Sequence, residues 1–230
     1  MDFNTQDNEI RLIGEGGNSH IYLLDREYAG RTSAIIKVPK AFVDINVNKA
    51  LENYDMLKQH GIKTTAFLDE CSLDGQRALI TENLHHNDYT YLDANAHLRT
   101  PVDYLFRQID KDDEARHDEK EPEEERWFAD HKFERITNLK EFANNHLVYL
   151  EKVSAANIYL AYDCYYFKVK KAKVTDLDYI IADWDDVQIC DQIDLYELNK
   201  GEFFSALKQF VQRYVSEDVS DEYNVLLDNM

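Results

Sequence analysis

The chain has 230 residues, of which 44% are hydrophobic and 31% charged, enough for one ordinary core or for two small lobes. Its 45 acidic and 26 basic residues give a formal charge of −19, which disfavours binding to nucleic acids and anionic membrane surfaces. No apolar stretch approaches the roughly 18–20 residues that span a bilayer. The N-terminus lacks a signal-peptide pattern, and the three cysteines are widely spaced without a CxxC pair. We therefore expect a cytoplasmic protein of a reducing compartment.

The first 85 residues are predicted to form mainly short strands. β-branched, aromatic and other apolar residues cluster at five places, which are residues 10–13, 21–24, 34–38, 64–68 and 78–81. A helix is predicted over 47–60, because Leu51, Tyr54 and Leu57 recur every third residue and Gly61 follows as a stop signal. This part of the chain is therefore predicted to be a sheet with one helix.

The second part is predicted to be mainly helical. A helix is expected over 136–150, and a C-terminal helix carries the apolar stripe Phe203, Leu207, Phe210, Val211 and Tyr214. Strands are expected between these helices, at 157–160, 164–169 and 179–182. The chain is thus predicted to be a two-lobed α+β protein, with lobes at 1–84 and 85–230.

A strongly acidic insertion interrupts the second part. Residues 110–126 contain ten acidic and four basic side chains, a net charge of −6 in seventeen positions. Such a run is usually a solvated helix end or loop. The alternative is a docking surface for a basic partner protein, over 110–125.

A glycine-rich loop connects the first two long strand candidates. Gly14, Gly16 and Gly17 precede Ser19, and glycines let a backbone turn tightly and approach a phosphate. Taken alone, this pattern is most often a simple turn. However, Lys37 lies inside the apolar strand that comes next, where a lysine costs desolvation energy unless it meets an anion.

Together these two features resemble the N-terminal lobe of the protein-kinase superfamily. The stretch IGEGGNSHIYLL followed by AIIKV is similar to the kinase pattern GxGxxGxV followed by VAIK. The resemblance implies that the loop covers ATP and that Lys37 grips its phosphates. It also implies a glutamate partner for Lys37 on the following helix, with Glu52 as the candidate and Asp55 as the alternative. Glu82, at the lobe boundary, is expected beside the nucleotide.

A second motif lies after the last predicted strand. The stretch IIADWDD ends an apolar segment in carboxylates, which are the oxygen ligands that Mg²⁺ prefers. It resembles the kinase DFG position, with Asp183 as the metal ligand. Asp-Trp-Asp is more similar to the motif of aminoglycoside and choline phosphotransferases. The ordinary alternative is an acidic surface turn.

The region where a kinase has its catalytic loop departs from the family pattern. Asn157 followed by a β-rich pair resembles the second metal ligand of HRDxxxxN. Counting back five residues gives Lys152 in place of the catalytic aspartate, and Glu151 is one position away. Asn157 and Asp183 are 26 residues apart, about twice the family spacing, and the extra residues 161–178 are predicted to form a hairpin with a basic stretch at 168–173.

Three functional hypotheses remain open from the sequence. The first is a nucleotide-binding pseudokinase, since Lys152 stands at the base position. The second is an active, atypical phosphotransferase that acts on a protein or small-molecule hydroxyl with Mg²⁺ and ATP, with Glu151 or an acidic-segment carboxylate as base. The third is an acidic protein that binds a basic partner without nucleotide.

Overall fold

The computed structural model of the chain describes residues 1–15, 19–85, 88–93, 132–170 and 172–230. Over these residues the protein has a mixed α+β fold with four helices and a curled six-stranded sheet, which confirms the predicted α+β class. The strands are β1 (Asp2–Phe3), β2 (Ile10–Glu15), β3 (Ser19–Leu24), β4 (Ala34–Pro39), β5 (Phe67–Leu73), β6 (Gln76–Glu82), β7 (Tyr89–Asp93), β8 (Arg135–Ile136), β9 (Ile158–Leu160), β10 (Tyr165–Lys170), β11 (Val174–Thr175), β12 (Asp178–Ile181) and β13 (Val187–Ile189). The helices are α1 (Val43–Gln59), α2 (Leu139–Ala155), α3 (Leu195–Tyr214) and α4 (Glu217–Asp228), with one-turn 3₁₀ helices at Tyr162–Cys164 and Trp184–Asp186.

The six-stranded sheet has the order β1-β5-β6-β4-β3-β2, and only the β1–β5 pair is parallel. Strand β4 lies in the interior of the sheet, and all of its residues except Lys37 are buried. Ile36 and Val38 point into a core on one face, because side chains alternate along a strand. Lys37 points the other way, in register with Leu79 of β6. The lysine therefore lies on the face that α1 covers.

Helix α1 packs across that face through a stripe of buried residues. Val47, Ala50 and Leu57 are buried at helical spacing. The helix starts at Val43, four residues before the predicted start, and ends at Gln59. Gly61 follows with a φ of 66°, a left-handed conformation in which glycine carries no Cβ penalty, so the predicted stop signal is confirmed.

The largest hydrophobic cluster joins α2, α3 and the strands between them. Phe142 of α2 packs on Phe203 of α3 and on Phe167 of β10, with ring centroids 5.9 and 6.0 Å apart. Burial of each such ring contributes about 1.5–3 kcal/mol to folding. Leu79 and Ala50 belong to the same cluster, so the core continues from α2 and α3 to the sheet.

Five elements were not predicted from local patterns. They are β1, β7, β8, β13 and α4. Helix α3 also begins earlier than its apolar stripe, since Leu195 and Asn199 extend the buried face at the same spacing and Asn199 is polar. The acidic residues 110–126 lie outside the described residues. Within the described part of the chain, no helix is long and apolar enough to cross a bilayer.

Candidate functional site

A small cleft lies where β4, α1 and the segment after β12 meet. It is small and open to solvent, with a cavity volume of about 20 Å³. Residues from five places in the chain line it, namely Ser19, Lys37, Pro39, Asn46, Ala50, Leu79, Asp183, Trp184 and Asp185. The structure thus brings together three features singled out in the sequence, which are Ser19 of the glycine-rich loop, the strand lysine and the acidic motif.

Lys37 is partly buried in this cleft. Its Nζ donates a hydrogen bond to the backbone carbonyl of Ala182, at 3.1 Å. That carbonyl belongs to the residue immediately before Asp183, so the ammonium lies beside the start of the acidic motif. A lysine held on a neutral carbonyl keeps two further N–H donors for an anionic ligand.

The carboxylates of the acidic motif share one short turn. Strand β12 ends at Ile181, and Asp183 starts the 3₁₀ turn that contains Asp185. Burial raises the pKa of Asp185, and the charge of Asp183 raises it further, while Lys37 and Lys49 act in the opposite direction. Two carboxylates and two ammonium groups therefore interact around this turn.

Trp184 anchors the turn to the protein interior. Its side chain is buried, its Nε1 donates to Thr64 Oγ1 at 2.8 Å, and its ring lies 4.8 Å from the ring of Tyr54 on α1. Since Trp184 is fixed between its two neighbours Asp183 and Asp185, both carboxylates are held toward the cleft.

A third carboxylate lies beside the acidic turn, in a segment that the sequence motifs did not single out and outside the residues that line the cleft. Asp163 lies in the 3₁₀ turn Tyr162–Cys164, which contacts the turn Trp184–Asp186. The backbone N–H of Ala182 donates to the carbonyl of Cys164 at 3.1 Å, which joins the two segments directly. Burial raises the pKa of Asp163, and the charges of Asp183 and Glu202 raise it further. Its Oδ1 is buried and has no hydrogen-bond partner among the described residues.

Helix α3 supports the turn that carries Asp163. Glu202 accepts hydrogen bonds from the Tyr159 hydroxyl and from the backbone N–H of Tyr162, both at 2.9 Å. One turn earlier, the fully buried Asn199 accepts from the backbone N–H of Leu160 and donates to the carbonyl of Ile158, also at 2.9 Å. Two polar side chains of α3 thus hold the strand and turn that lead to Asp163.

No protein-family model matches this chain, and no curated protein matches it.

The glycine-rich loop and Glu82 are also predicted to contact the nucleotide. Gly14 lies in β2 beside an irregularity in its pairing with β3, while Gly16 and Gly17 lie outside the described residues. Glu82 is occupied by other partners, since it accepts from the backbone N–H of Ala66 at 2.8 Å and pairs with the Arg31 guanidinium at 3.2 Å.

The predicted helix partners of Lys37 lie away from it. Glu52 and Asp55 are exposed on α1. The helix instead turns Asn46 and Ala50 toward the cleft. The expected lysine–glutamate pair is therefore absent from the described contacts of Lys37.

The structure does not bring the predicted catalytic loop to Asp183. Glu151 and Lys152 are exposed in the last turn of α2. Asn157 follows with a φ of 59°, and its carbonyl accepts from the N–H of Cys190 at 2.8 Å. Because β9 and β13 are antiparallel, this contact lies at the end of the ladder farther from Asp183. The other end of β9 leads to Asp163.

The described donors suit a magnesium ion that binds together with phosphates. Among the residues that the structure describes, no three His, Cys, Asp or Glu side chains form a metal-binding group. Magnesium is usually held by one or two carboxylates plus phosphate oxygens. Asp183 and Asp185, which both line the cleft, are two such carboxylates.

Proposed function

We propose that this protein is an atypical phosphotransferase of the protein-kinase-like superfamily that binds Mg²⁺ and ATP in this cleft. Its acceptor is a hydroxyl group of a protein or small molecule. In this proposal the cleft separates two lobes, 1–84 and 85–230. The observations that support it are that Lys37 and Asp183 line one cleft, and that Asp163 lies on a turn in contact with the turn that follows Asp183.

The proposal gives each of these residues a separate task. The Lys37 ammonium binds phosphate oxygens of the nucleotide, and Asp183 holds the metal ion. Bound magnesium would neutralise charge on the phosphates. Asp163 accepts the proton of the acceptor hydroxyl while the oxygen of that hydroxyl bonds to the γ-phosphorus. The bond between that phosphorus and the bridging oxygen breaks, and ADP leaves with the electron pair.

In this proposal Asp163 is the base, the role that the sequence predicts for Glu151 or for a carboxylate of the acidic segment. A base needs a free lone pair near the reacting oxygen, and Asp163 Oδ1 has no partner among the described residues. Its raised pKa brings it closer to neutrality, where a general base is most effective. Lys152 and Glu151 are exposed on α2 and need no role in the reaction.

A pseudokinase that binds nucleotide without turnover is the second candidate. The observation in its favour is the face of α1 toward the cleft, which carries Asn46 and Ala50 and no carboxylate to pair with Lys37. Active kinases need a lysine–glutamate pair between strand and helix. The acidic segment at 110–125 remains a predicted surface for a basic protein partner under either candidate.

Thermal unfolding with millimolar ATP, with and without Mg²⁺, tests the proposed site. A ligand that binds only the folded state raises the unfolding temperature by mass action. We expect a Mg²⁺-dependent rise in the wild-type protein that is lost in Lys37→Ala and Asp183→Ala. The exposed residues Lys58 and Asp191 provide matched alanine controls that keep the rise. Equal shifts in the site variants and the controls would refute the site.

ADP release separates the two candidates. A phosphotransferase forms ADP when an acceptor or water is present, and it loses this activity in Asp163→Asn while retaining the thermal shift. A pseudokinase gives the thermal shift and no ADP in either form.

A further inference from the structure

We infer that Asn53 of α1 is a positioning residue that fixes the metal-binding turn, and that it sets the affinity of the site for Mg²⁺. The inference rests on the proposed function. Asn53 Nδ2 donates to the carbonyl oxygens of Trp184 and Val187, at 2.7 and 2.9 Å. One side-chain amide therefore holds both ends of the 3₁₀ turn that follows Asp183.

A second donor on the same helix face grips the middle of the turn. Lys49 precedes Asn53 by four residues, so the two side chains lie one above the other on α1. Its Nζ donates to the carbonyl of Asp185 at 3.2 Å. Three carbonyl groups of one short turn thus accept hydrogen bonds from α1. The Lys49 contact is exposed, whereas the Asn53 contacts are partly buried, which makes Asn53 the stronger of the two.

The hydrogen bonds of Asn53 join α1 to the acidic motif, whereas no carboxylate of α1 pairs with Lys37 among the contacts that the structure describes. Glu52, the residue next to Asn53, is exposed. The helix is instead coupled to the acidic motif through neutral amide–carbonyl bonds. Removing Asn53 leaves two partly buried carbonyls without this donor, and the turn between Asp183 and β13 gains freedom. Ordering that turn then becomes part of the cost of binding magnesium.

Asn53 is expected to affect the binding of Mg²⁺ and not the binding of metal-free nucleotide. Lys37 contacts the backbone of Ala182 and not Asn53, so its grip on phosphate does not depend on the amide. Loss of Asn53 therefore weakens the apparent affinity for Mg²⁺ while the affinity for metal-free nucleotide stays the same. Saturating Mg²⁺ restores kcat, because Asp163 and Asp183 are still present.

The variants for the test are Asn53→Ala and Asn53→Asp, with Asn48→Ala as the control. Asn53→Asp keeps the size of the side chain and removes the Nδ2 donor. Asn48 lies on the same helix, where its Oδ1 accepts from Arg77 at 2.7 Å. The Asn48→Ala variant therefore measures the general effect of removing an asparagine contact from α1. Magnesium is titrated at fixed ADP for binding and at fixed ATP for turnover, in the full-length protein.

We expect the half-saturating Mg²⁺ concentration to rise about tenfold in both Asn53 variants, the effect of losing roughly 1.4 kcal/mol of positioning. The affinity for ADP without metal stays within about twofold of the wild type. Asn48→Ala changes neither quantity. Wild-type magnesium dependence in both Asn53 variants would overturn the inference, and so would an equal loss of metal-free ADP binding.

Hydrogen exchange of the ligand-free protein keeps the inference distinct from the proposed function. The amides of residues 182–187 are expected to exchange about tenfold faster in Asn53→Ala than in Asn48→Ala. If the wild-type protein binds no Mg²⁺–nucleotide at all, the proposed function fails, and the exchange result alone decides whether Asn53 fixes the turn. Equal exchange in the two variants would show that it does not.

Discussion

Asp163 and Asp183 lie on two contacting 3₁₀ turns, and the charge of Asp183 raises the pKa of Asp163 although the two residues are 20 positions apart in the chain. Each turn follows a short strand segment that a second strand fixes in place. Two carboxylates held together in a partly buried site destabilise each other unless a cation or a proton lies between them. This relationship supports the proposal that a cation binds beside Asp183.

The Asp163→Asn variant is expected to be more stable than the wild type at pH 7.5. Because the pKa of Asp163 is raised in the folded state, its stabilising contribution is full below the ordinary aspartate pKa and is lost as pH rises through the raised value. The Asp163→Asn variant has no carboxyl group at this position, so it does not lose this stability as pH rises. Thermal unfolding at pH 7.5 and pH 4 measures the difference, which shrinks at the lower pH. Asp191→Asn, at an exposed aspartate, is the control, and an equal effect there would contradict the expectation.

Substitution of Glu202 is expected to affect both the stability and the pH profile of the protein. Glu202→Gln keeps only one acceptor oxygen for the two donors from Tyr159 and Tyr162, so the unfolding temperature falls by about 2–4 °C. Removing the negative charge also lowers the pKa of Asp163, which moves the acid limb of the activity profile to lower pH. Differential scanning calorimetry and initial rates over pH check the two effects.

Glu222→Gln, at an exposed carboxylate of α4, is the matched control. An acid limb that stays in place in Glu202→Gln would mean that Asp163 does not control the rate.

The sequence motifs anticipated one side of the cleft better than the other. Lys37 and Asp183 follow or lie in apolar strands, and such local patterns can be identified without an alignment. Asp163 has no motif of its own. Its position depends on the pairing of β9 with β13 and of β10 with β12, which are long-range contacts that local spacing does not contain.

The prediction of a catalytic loop at Asn157 depends on a local pattern. Asn157 follows a helix and precedes a strand, which resembles the end of a catalytic loop. In the structure it adopts a φ of 59° immediately after α2, a position where asparagine is common because it tolerates the left-handed region. The same local pattern is therefore also typical of an ordinary helix end. The predicted positions of helices and strands agree with the structure where apolar residues recur regularly, as in α1, α2 and β4.

His146 is expected to make the protein sensitive to acid. Its ring lies among aromatic side chains, 4.0 Å from Phe203 and 4.4 Å from Tyr179, and burial lowers its pKa to about 3. The unfolded chain binds a proton near the ordinary histidine pKa, so wild-type stability falls by up to about 1.4 kcal/mol per pH unit below that value. The His146→Phe variant has no histidine at this position and therefore does not show this loss of stability at low pH.

Urea unfolding at pH 7.5 and pH 5 checks this expectation. The wild type loses more stability between these pH values than His146→Phe, and His60→Gln, at an exposed histidine, behaves as the wild type. Parallel losses in all three proteins would contradict the role of His146.

Two glycines give opposite predictions for the same substitution. Gly61 has a φ of 66°, so Gly61→Ala is expected to lower the free energy of unfolding by about 1–2 kcal/mol. Gly201 lies exposed inside α3 with open space around it, so Gly201→Ala is expected to raise the free energy of unfolding by about 0.5–1 kcal/mol. Urea unfolding of both variants checks the signs, and the same sign in both would contradict the assigned conformations.

Calorimetric titration of ATP into the wild-type protein and Asp163→Asn, with and without Mg²⁺ and with ADP quantified afterwards, tests the proposed site most directly. The expected result is Mg²⁺-dependent binding to both proteins and ADP formation in the wild type alone. Absence of binding to the wild type at millimolar ATP and Mg²⁺ would contradict the assignment of this cleft as a nucleotide site.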